Sequence, residues 1–151
     1  MITCHVEAFA DRLEELKPIL PLHYEELALH KEHVPLDPQY DVYLARNKEG
    51  QLLFVALRDA GELIGYFIGF IAPGLHYKTC LTCQMDIFYV HPEHRGSGAG
   101  AQLFTFVEAE LKRRAVQRIF VGSKCHKDAS WLFERLGYDM VEIYYSKWLG
   151  D

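Results

Sequence analysis

Three glycines fall within five residues at Gly96, Gly98 and Gly100, inside Val90-His91-Pro92-Glu93-His94-Arg95-Gly96-Ser97-Gly98-Ala99-Gly100. An apolar run (Ile87, Phe88, Tyr89, Val90) leads in, and a helical pattern follows from Ala99. Glycine lets a backbone turn tightly and approach a ligand with no Cβ in the way. The first turn of a helix offers unpaired N–H groups and the positive end of its dipole. A strand, a glycine-rich turn and a helix start therefore make a site for an anionic phosphate group. The stretch lacks the Gly-Lys-Ser/Thr ending of an NTPase loop, so no lysine serves terminal phosphates and no hydroxyl serves magnesium. Its glycines do not fall as G-x-G-x-x-G, and no repeated βαβ units surround it.

Other residue sets invite chemistry of their own. Glu25 and Glu26 beside the aromatic His23 and Tyr24 could hold a cationic amine, or form a solvated helix face. Cys80-x-x-Cys83 with His76 suggests zinc, but strand residues three apart point to opposite faces, so no metal site is expected. Cys125 has no paired base and reads as a small packed residue.

These residues need elements to position them. Ile2 to Phe9 reads as a strand, and Asp11 as the cap of a helix bearing Leu13, Leu16, Leu20, Tyr24 and Leu27. Pro18 and Pro21 predict a kink or two short helices. Residues His30 to Pro35 read as a loop. Asp37-Pro38 reads as a cap followed by the first helical position, with a short helix through Tyr40, Tyr43, Leu44 and Asn47 ending at Gly50. Strands are expected over Gln51–Arg58, Glu62–Ala72 and Lys78–Val90, the first two joined by an Ala60-Gly61 turn. Leu103, Phe106, Val107 and Leu111 line the helix after the glycine turn. A short strand from Arg118 to Gly122 precedes a helix that begins at Asp128 or Ser130 and closes at Gly137. Tyr138 to Lys147 reads as a last strand. Strands alternate with helices only in the second half, which predicts an α/β domain with a mixed sheet.

The bulk numbers bound the rest. The chain has 151 residues, half of them hydrophobic and 25% charged, the balance of one globular domain. A net charge of −5 argues against nucleic-acid binding. No apolar run is long enough to span a membrane, and the amino terminus does not read as a signal peptide. Four cysteines (Cys4, Cys80, Cys83, Cys125) are too few for a disulfide scaffold, so reduced thiols in the cytoplasm are expected.

Arg95-x-x-Gly98-x-Gly100 after Ile87-Phe88-Tyr89-Val90 resembles the acyl-CoA-binding signature of the GNAT superfamily of N-acetyltransferases. Ala129-Ser130-Trp131-Leu132-Phe133-Glu134-Arg135-Leu136-Gly137-Tyr138 resembles the same family's late helix. The matching motifs run from about Asp86 to Tyr138. The early helices with Tyr144-Tyr145-Ser146-Lys147-Trp148 resemble members carried by bacteriophages and prophages. The resemblance implies a single domain over residues 1–151, with a mostly antiparallel central sheet flanked by helices. It implies acetyl-CoA as co-substrate, a small-molecule or peptide amine as acceptor, and room for a homodimer.

Site roles follow from the same resemblance. The backbone of Arg95, Gly96, Ser97, Gly98, Ala99, Gly100 and Ala101 would hold the CoA pyrophosphate. Main-chain groups near Phe88 and Val90 would pair with the pantetheine arm, and His126 falls where the family has a pantetheine contact. Asp86 occupies the position of the general base, working through water, and strand periodicity puts it on one face with Phe88 and Val90. His23, Tyr24, Glu25 and Glu26, with His30 and His33 nearby, lie where early helices line the acceptor pocket. Phe133 stands where the family often has a proton-donating tyrosine, leaving solvent, Tyr138 or His126 as the acid. The same substitution keeps open a second function, a non-catalytic acyl-CoA-binding module with a regulatory or virion-associated role.

Overall fold

A computed structural model describes residues 1–151. Five strands form one sheet in the order β1 (Ile2–Val6), β2 (Leu52–Asp59), β3 (Glu62–Pro73), β4 (Leu81–Val90), β5 (Arg118–Phe120). The pairs from β1 to β4 are antiparallel, and β5 joins β4 in parallel. Helices α1 (Phe9–Leu16), α2 (Leu20–Leu27) and α3 (Tyr40–Lys48) cover one face, and α4 (Ala99–Arg113) and α5 (Ser130–Arg135) the other. Strand alternation builds both cores. Leu53, Val55 and Leu57 of β2 pack with Leu103, Phe104 and Val107 of α4, while Leu52, Phe54 and Ala56 pack with Phe9 and Leu16. Each of the larger of these side chains removed from water is worth about 1.5–3 kcal/mol.

The two prolines of the first helical pattern resolve it into two short helices. α1 ends at Leu16, before Pro18, and Pro21 sits in the first turn of α2, where its missing N–H costs nothing. α5 begins at Ser130 behind the cap position Ala129, and the Ser130 N–H donates to the Asp128 carboxylate at 2.9 Å.

Three expectations are corrected. Asp11 lies inside the first turn of α1, and the cap position is Ala8, with no side-chain bond. α3 starts at Tyr40 behind Gln39, so Asp37-Pro38 lies before the helix and is not its cap. Residues 138–147 form no strand. Their alternation satisfies strand preference, but a strand also needs a partner, and β5 offers only three residues, already paired with β4. The tail leaves Tyr138 and ends near the loop after α2, where Trp148 stacks on His33 at 4.5 Å.

The β4–β5 pairing controls the shape of the molecule. It covers only Thr82–Gln84 against Arg118–Phe120. Beyond Gln84 the two strands separate, and β4 continues to Val90 with one edge free. A cleft of about 1020 Å³ opens there, walled by α1–α3 on one side and by α4, α5 and the Gly122–Ala129 loop on the other. No helix is long and apolar enough to cross a membrane.

Candidate active site

The glycine turn forms one end of the cleft. A 3₁₀ turn at Pro92–His94 carries the chain from β4 to Arg95. Gly96 and Gly98 take φ of 80° and 82°, left-handed values that a Cβ disfavours. Their αL turns bring the backbone round into α4, which starts at Ala99 and lines the cleft with its first residues, Ala99, Gly100 and Ala101. The first helical bond runs from the Gln102 N–H to the Gly98 carbonyl at 3.0 Å. Every N–H from Gly96 to Ala101 is thus left without a protein acceptor. The Arg95 N–H is outside this arc, since it donates to the Pro92 carbonyl at 3.3 Å. Gly100 has a packing role as well: a Cβ there would lie 3.2 Å from Leu132 of α5.

The Arg95 side chain faces inward. Its Nε donates to the Val90 carbonyl at 2.8 Å, and its Nη2 to Glu26 of α2 at 2.7 Å. Glu26 also lies 3.4 Å from Lys127. Hydrogen bonding from Arg95 holds the Glu26 carboxyl below the usual carboxylate range, against partial burial. Arg95 therefore locks α2 onto the turn, and its positive charge is answered within the protein.

The free edge of β4 forms the floor. The His91 N–H donates to the Ile64 carbonyl of β3 at 2.7 Å. By the two-residue period of a strand, the main-chain groups of Phe88 and Val90 point the other way, to the open edge. The Val90 carbonyl is taken by Arg95. The Phe88 N–H and carbonyl and the Val90 N–H face the cleft side of the strand.

Asp86 is not on the face of Phe88 and Val90. Ile87 pairs with Ile68 and Met85 with Gly69, so Asp86 is the extra residue of a β-bulge. The bulge resets the alternation. Phe88 packs toward Phe104 and Phe133 beneath α4 and α5, whereas Asp86 accepts a hydrogen bond from the Tyr43 hydroxyl of α3 on the opposite face. Asp86 lines the cleft and is exposed to it, yet the surrounding walls partly desolvate its carboxylate. That desolvation raises its pKa; the Tyr43 hydrogen bond and the charge of Arg46 work in the opposite direction.

The early-helix residues divide. His23 is buried on the cleft wall, its Nδ1 2.8 Å from the Tyr66 hydroxyl. Tyr24 lines the cleft, and its hydroxyl donates to the Val34 carbonyl. Glu26 lines it, paired as described. Glu25 faces solvent with Lys31 Nζ at 3.7 Å, and His126 lies off the wall, its Nε2 donating to the Leu27 carbonyl at 3.0 Å. Phe133 is 6% exposed within a ring cluster of Phe88, Phe104 and Tyr138, and the Tyr138 hydroxyl donates to Glu108 at 3.3 Å, away from the cleft. No group of histidine, cysteine and carboxylate side chains is close enough to hold a metal.

Sequence reasoning missed Tyr43 as the partner of Asp86 and Lys127 as the second partner of Glu26. Tyr40 and Tyr43 share a helix face, which is a readable signal for an aromatic wall. The pairing of Tyr43 with Asp86, 43 residues further on, is not.

The family model described as "Acetyltransferase (GNAT) family" matches residues 13–138. Among solved structures, the chain resembles a GCN5-related N-acetyltransferase from Ralstonia eutropha JMP134, with a TM-score of 0.79 and 18% identity over 99% of this chain and 100% of that one. It resembles a ribosomal-protein-alanine N-acetyltransferase from Brucella melitensis biovar Abortus 2308, with a TM-score of 0.76 and 19% identity over 100% and 99%. It also resembles a predicted acetyltransferase from Clostridium acetobutylicum solved with acetyl-CoA, with a TM-score of 0.71 and 13% identity over 99% and 97%. At these identities the likeness is one of fold. No curated protein matches the chain.

Proposed function

Given that the chain belongs to the acetyltransferase (GNAT) family, we propose that it transfers an acetyl group from acetyl-CoA to a primary amine within a ternary complex. The observation that carries this reading is the arc of free N–H groups from Gly96 to Ala101 at one end of a cleft floored by an open strand edge. An arc of donors at a helix start suits a pyrophosphate. The Phe88 and Val90 edge suits an extended arm that carries amides, added like a strand. A protein of the same fold has been solved with acetyl-CoA.

In the transfer, the neutral amine nitrogen attacks the thioester carbonyl carbon. A C–N bond forms, the C–S bond breaks, and sulfur leaves with the bonding pair. The nitrogen must shed a proton, which Asp86 takes through water and passes to solvent. Its raised pKa moves toward the working pH, as a general base requires, and the Tyr43 hydroxyl orients the carboxylate. The thiolate takes its proton from water, because the Tyr138 hydroxyl and the His126 ring are engaged with Glu108 and Leu27. All cysteines are free thiols, which suits a reducing compartment, the cytoplasm.

The test is calorimetric titration with acetyl-CoA, followed by thiol release over a panel of amines for the native protein and Asp86→Ala. We expect binding, turnover, and a loss in the variant of about a hundredfold near neutral pH. The deficit should shrink at high pH, where the amine is already neutral. Absence of acetyl-CoA binding defeats the reading. Binding without turnover on any amine favours the non-catalytic acyl-CoA module, and an equal loss at every pH gives Asp86 a structural role.

A further inference from the structure

The cleft side formed by α1–α3 holds little uncompensated negative charge. The two carboxylates of α2 are answered by the protein itself: Glu25 by Lys31, and Glu26 by Arg95 and Lys127. Asp86 remains in no ion pair: its hydrogen-bond donor is a neutral tyrosine, and the Arg46 charge acts on it only at a distance. Asp37, in the segment before α3, is the other carboxylate lining this side. Between them the wall is Phe9, Leu20, Leu36, Tyr40 and Ile87. No lysine or arginine lines this side; those that line the cleft are Arg95, Lys124, Lys127 and Arg135 at the opposite end or wall.

An acceptor with several ammonium groups would leave most of them against hydrocarbon, stripped of water and unpaired, which is costly. An amine with one cationic head and a ring or branched alkyl body has a counterpart for each part. The head meets Asp86, and the body is withdrawn from water against aromatic and aliphatic side chains.

We propose that the acceptor is a hydrophobic monoamine with an aromatic or branched aliphatic body, in preference to a polyamine or an amino sugar. This inference rests on the acetyl-transfer reading above and names the acceptor class for that same site. Apolar contact with the wall formed by Phe9, Leu20 and Leu36 sets the selectivity, and Asp86 sets the position of the nitrogen.

The experiment compares kcat/KM by thiol release for phenethylamine and isoamylamine against spermidine and kanamycin, at saturating acetyl-CoA. The expected preference for the first pair is about tenfold or more, as for a hydrophobic pocket that gains several methylenes. Equal or better use of spermidine or kanamycin overturns the proposal. Titration of phenethylamine into the protein–CoA complex separates the two readings. Saturable binding without turnover of any amine upholds the apolar pocket and defeats acetyl transfer, whereas no saturable binding defeats the pocket. Leu36→Glu adds a carboxylate to the wall at a residue that is 40% exposed and outside both cores. It should raise the use of spermidine relative to phenethylamine by about threefold or more, within the range of one added charge contact; an unchanged ratio overturns the assignment of this wall.

Discussion

His23 is a histidine that folding keeps neutral. Burial lowers its pKa from 6.5 to about 4; Glu26 opposes the shift, and the charges of Arg95 and Lys124 assist it. Its ring lies against Tyr89 at 5.0 Å and its Nδ1 against the Tyr66 hydroxyl. The unfolded chain, with an ordinary histidine pKa near 6.5, binds the proton first as pH falls. The neutral ring therefore stabilises the fold fully above that value, and the contribution drains away between 6.5 and about 4. A shift of this size corresponds to about 3 kcal/mol. We predict that His23→Gln, which keeps a polar partner for Tyr66 but cannot titrate, flattens the loss of stability across this window. Urea unfolding of both proteins at several pH values between 7 and about 4 measures it, and parallel curves would refute the assignment. The sequence marks His23, Tyr24, Glu25 and Glu26 only as a polar aromatic group beside an expected pocket. What each does depends on partners far along the chain: Tyr66 for His23, Arg95 for Glu26. Local pattern carries no trace of such pairings, and so the sequence could not separate Asp86, bonded to a tyrosine hydroxyl, from Glu26, already ion-paired.

Elements were legible wherever periodicity alone decides them. Two strands joined at Ala60-Gly61, the helix after the glycine turn, and the proline-split first helix all follow from spacing and backbone sterics. Features set by neighbours were not legible. The bulge at Asp86 arises from how β4 meets β3, and the last stretch fails to be a strand for lack of a partner edge. The attachment of α1 to the sheet is of the same kind. Arg58 of β2 donates to Glu7 through Nε and Nη2, each at 2.8 Å, and to Glu15 of α1 through Nη1 and Nη2 at 3.0 and 2.8 Å. The Arg58 and Glu7 side chains are each 12% exposed. Removing the guanidinium leaves a nearly buried carboxylate with Arg12 alone. We predict that Arg58→Leu lowers stability by about 3 kcal/mol, the low end for breaking a buried pair because Glu15 is closer to solvent. The Arg58→Leu, Glu7→Leu double variant should recover part of it. Both glutamate pKa values are held below the usual range, chiefly by Arg58, so this stabilisation is present above pH 4.3 or so and is lost as pH falls below it. The deficit of the single variant, followed by guanidinium denaturation, should therefore shrink in acid; a deficit that is constant with pH would point to lost packing instead.

At the scale of the whole molecule, the sheet is closed on one side and parted on the other. The antiparallel run from β1 to β4 carries two cores and makes a rigid body, while the three-residue contact between β4 and β5 leaves the opening. A ligand lying from the glycine turn along the β4 edge would touch α4, β4 and the loop before α5 together, and so would tie the parted side to the rigid one. Its binding free energy then adds to the stability of the fold as a unit. Acetyl-CoA at a hundred times its Kd should contribute about 2.7 kcal/mol. For a domain of this length that is a rise in Tm of about 5 to 10 °C. Gly98→Asp tests whether the glycine turn is the anchor. A Cβ at Gly98 meets nothing within 4 Å, and aspartate is among the residues that tolerate φ of 82°, so the variant should fold with Tm lowered by no more than a few degrees. Its carboxylate would stand beside the N–H arc and repel a pyrophosphate, which should abolish the acetyl-CoA shift. Gly98→Asn has the same shape without the charge and should keep part of the shift. Scanning calorimetry of the three proteins with and without acetyl-CoA decides the matter. A full shift in Gly98→Asp would move the phosphate site away from the turn, and loss in both variants alike would make bulk, not charge, the reason a glycine stands there.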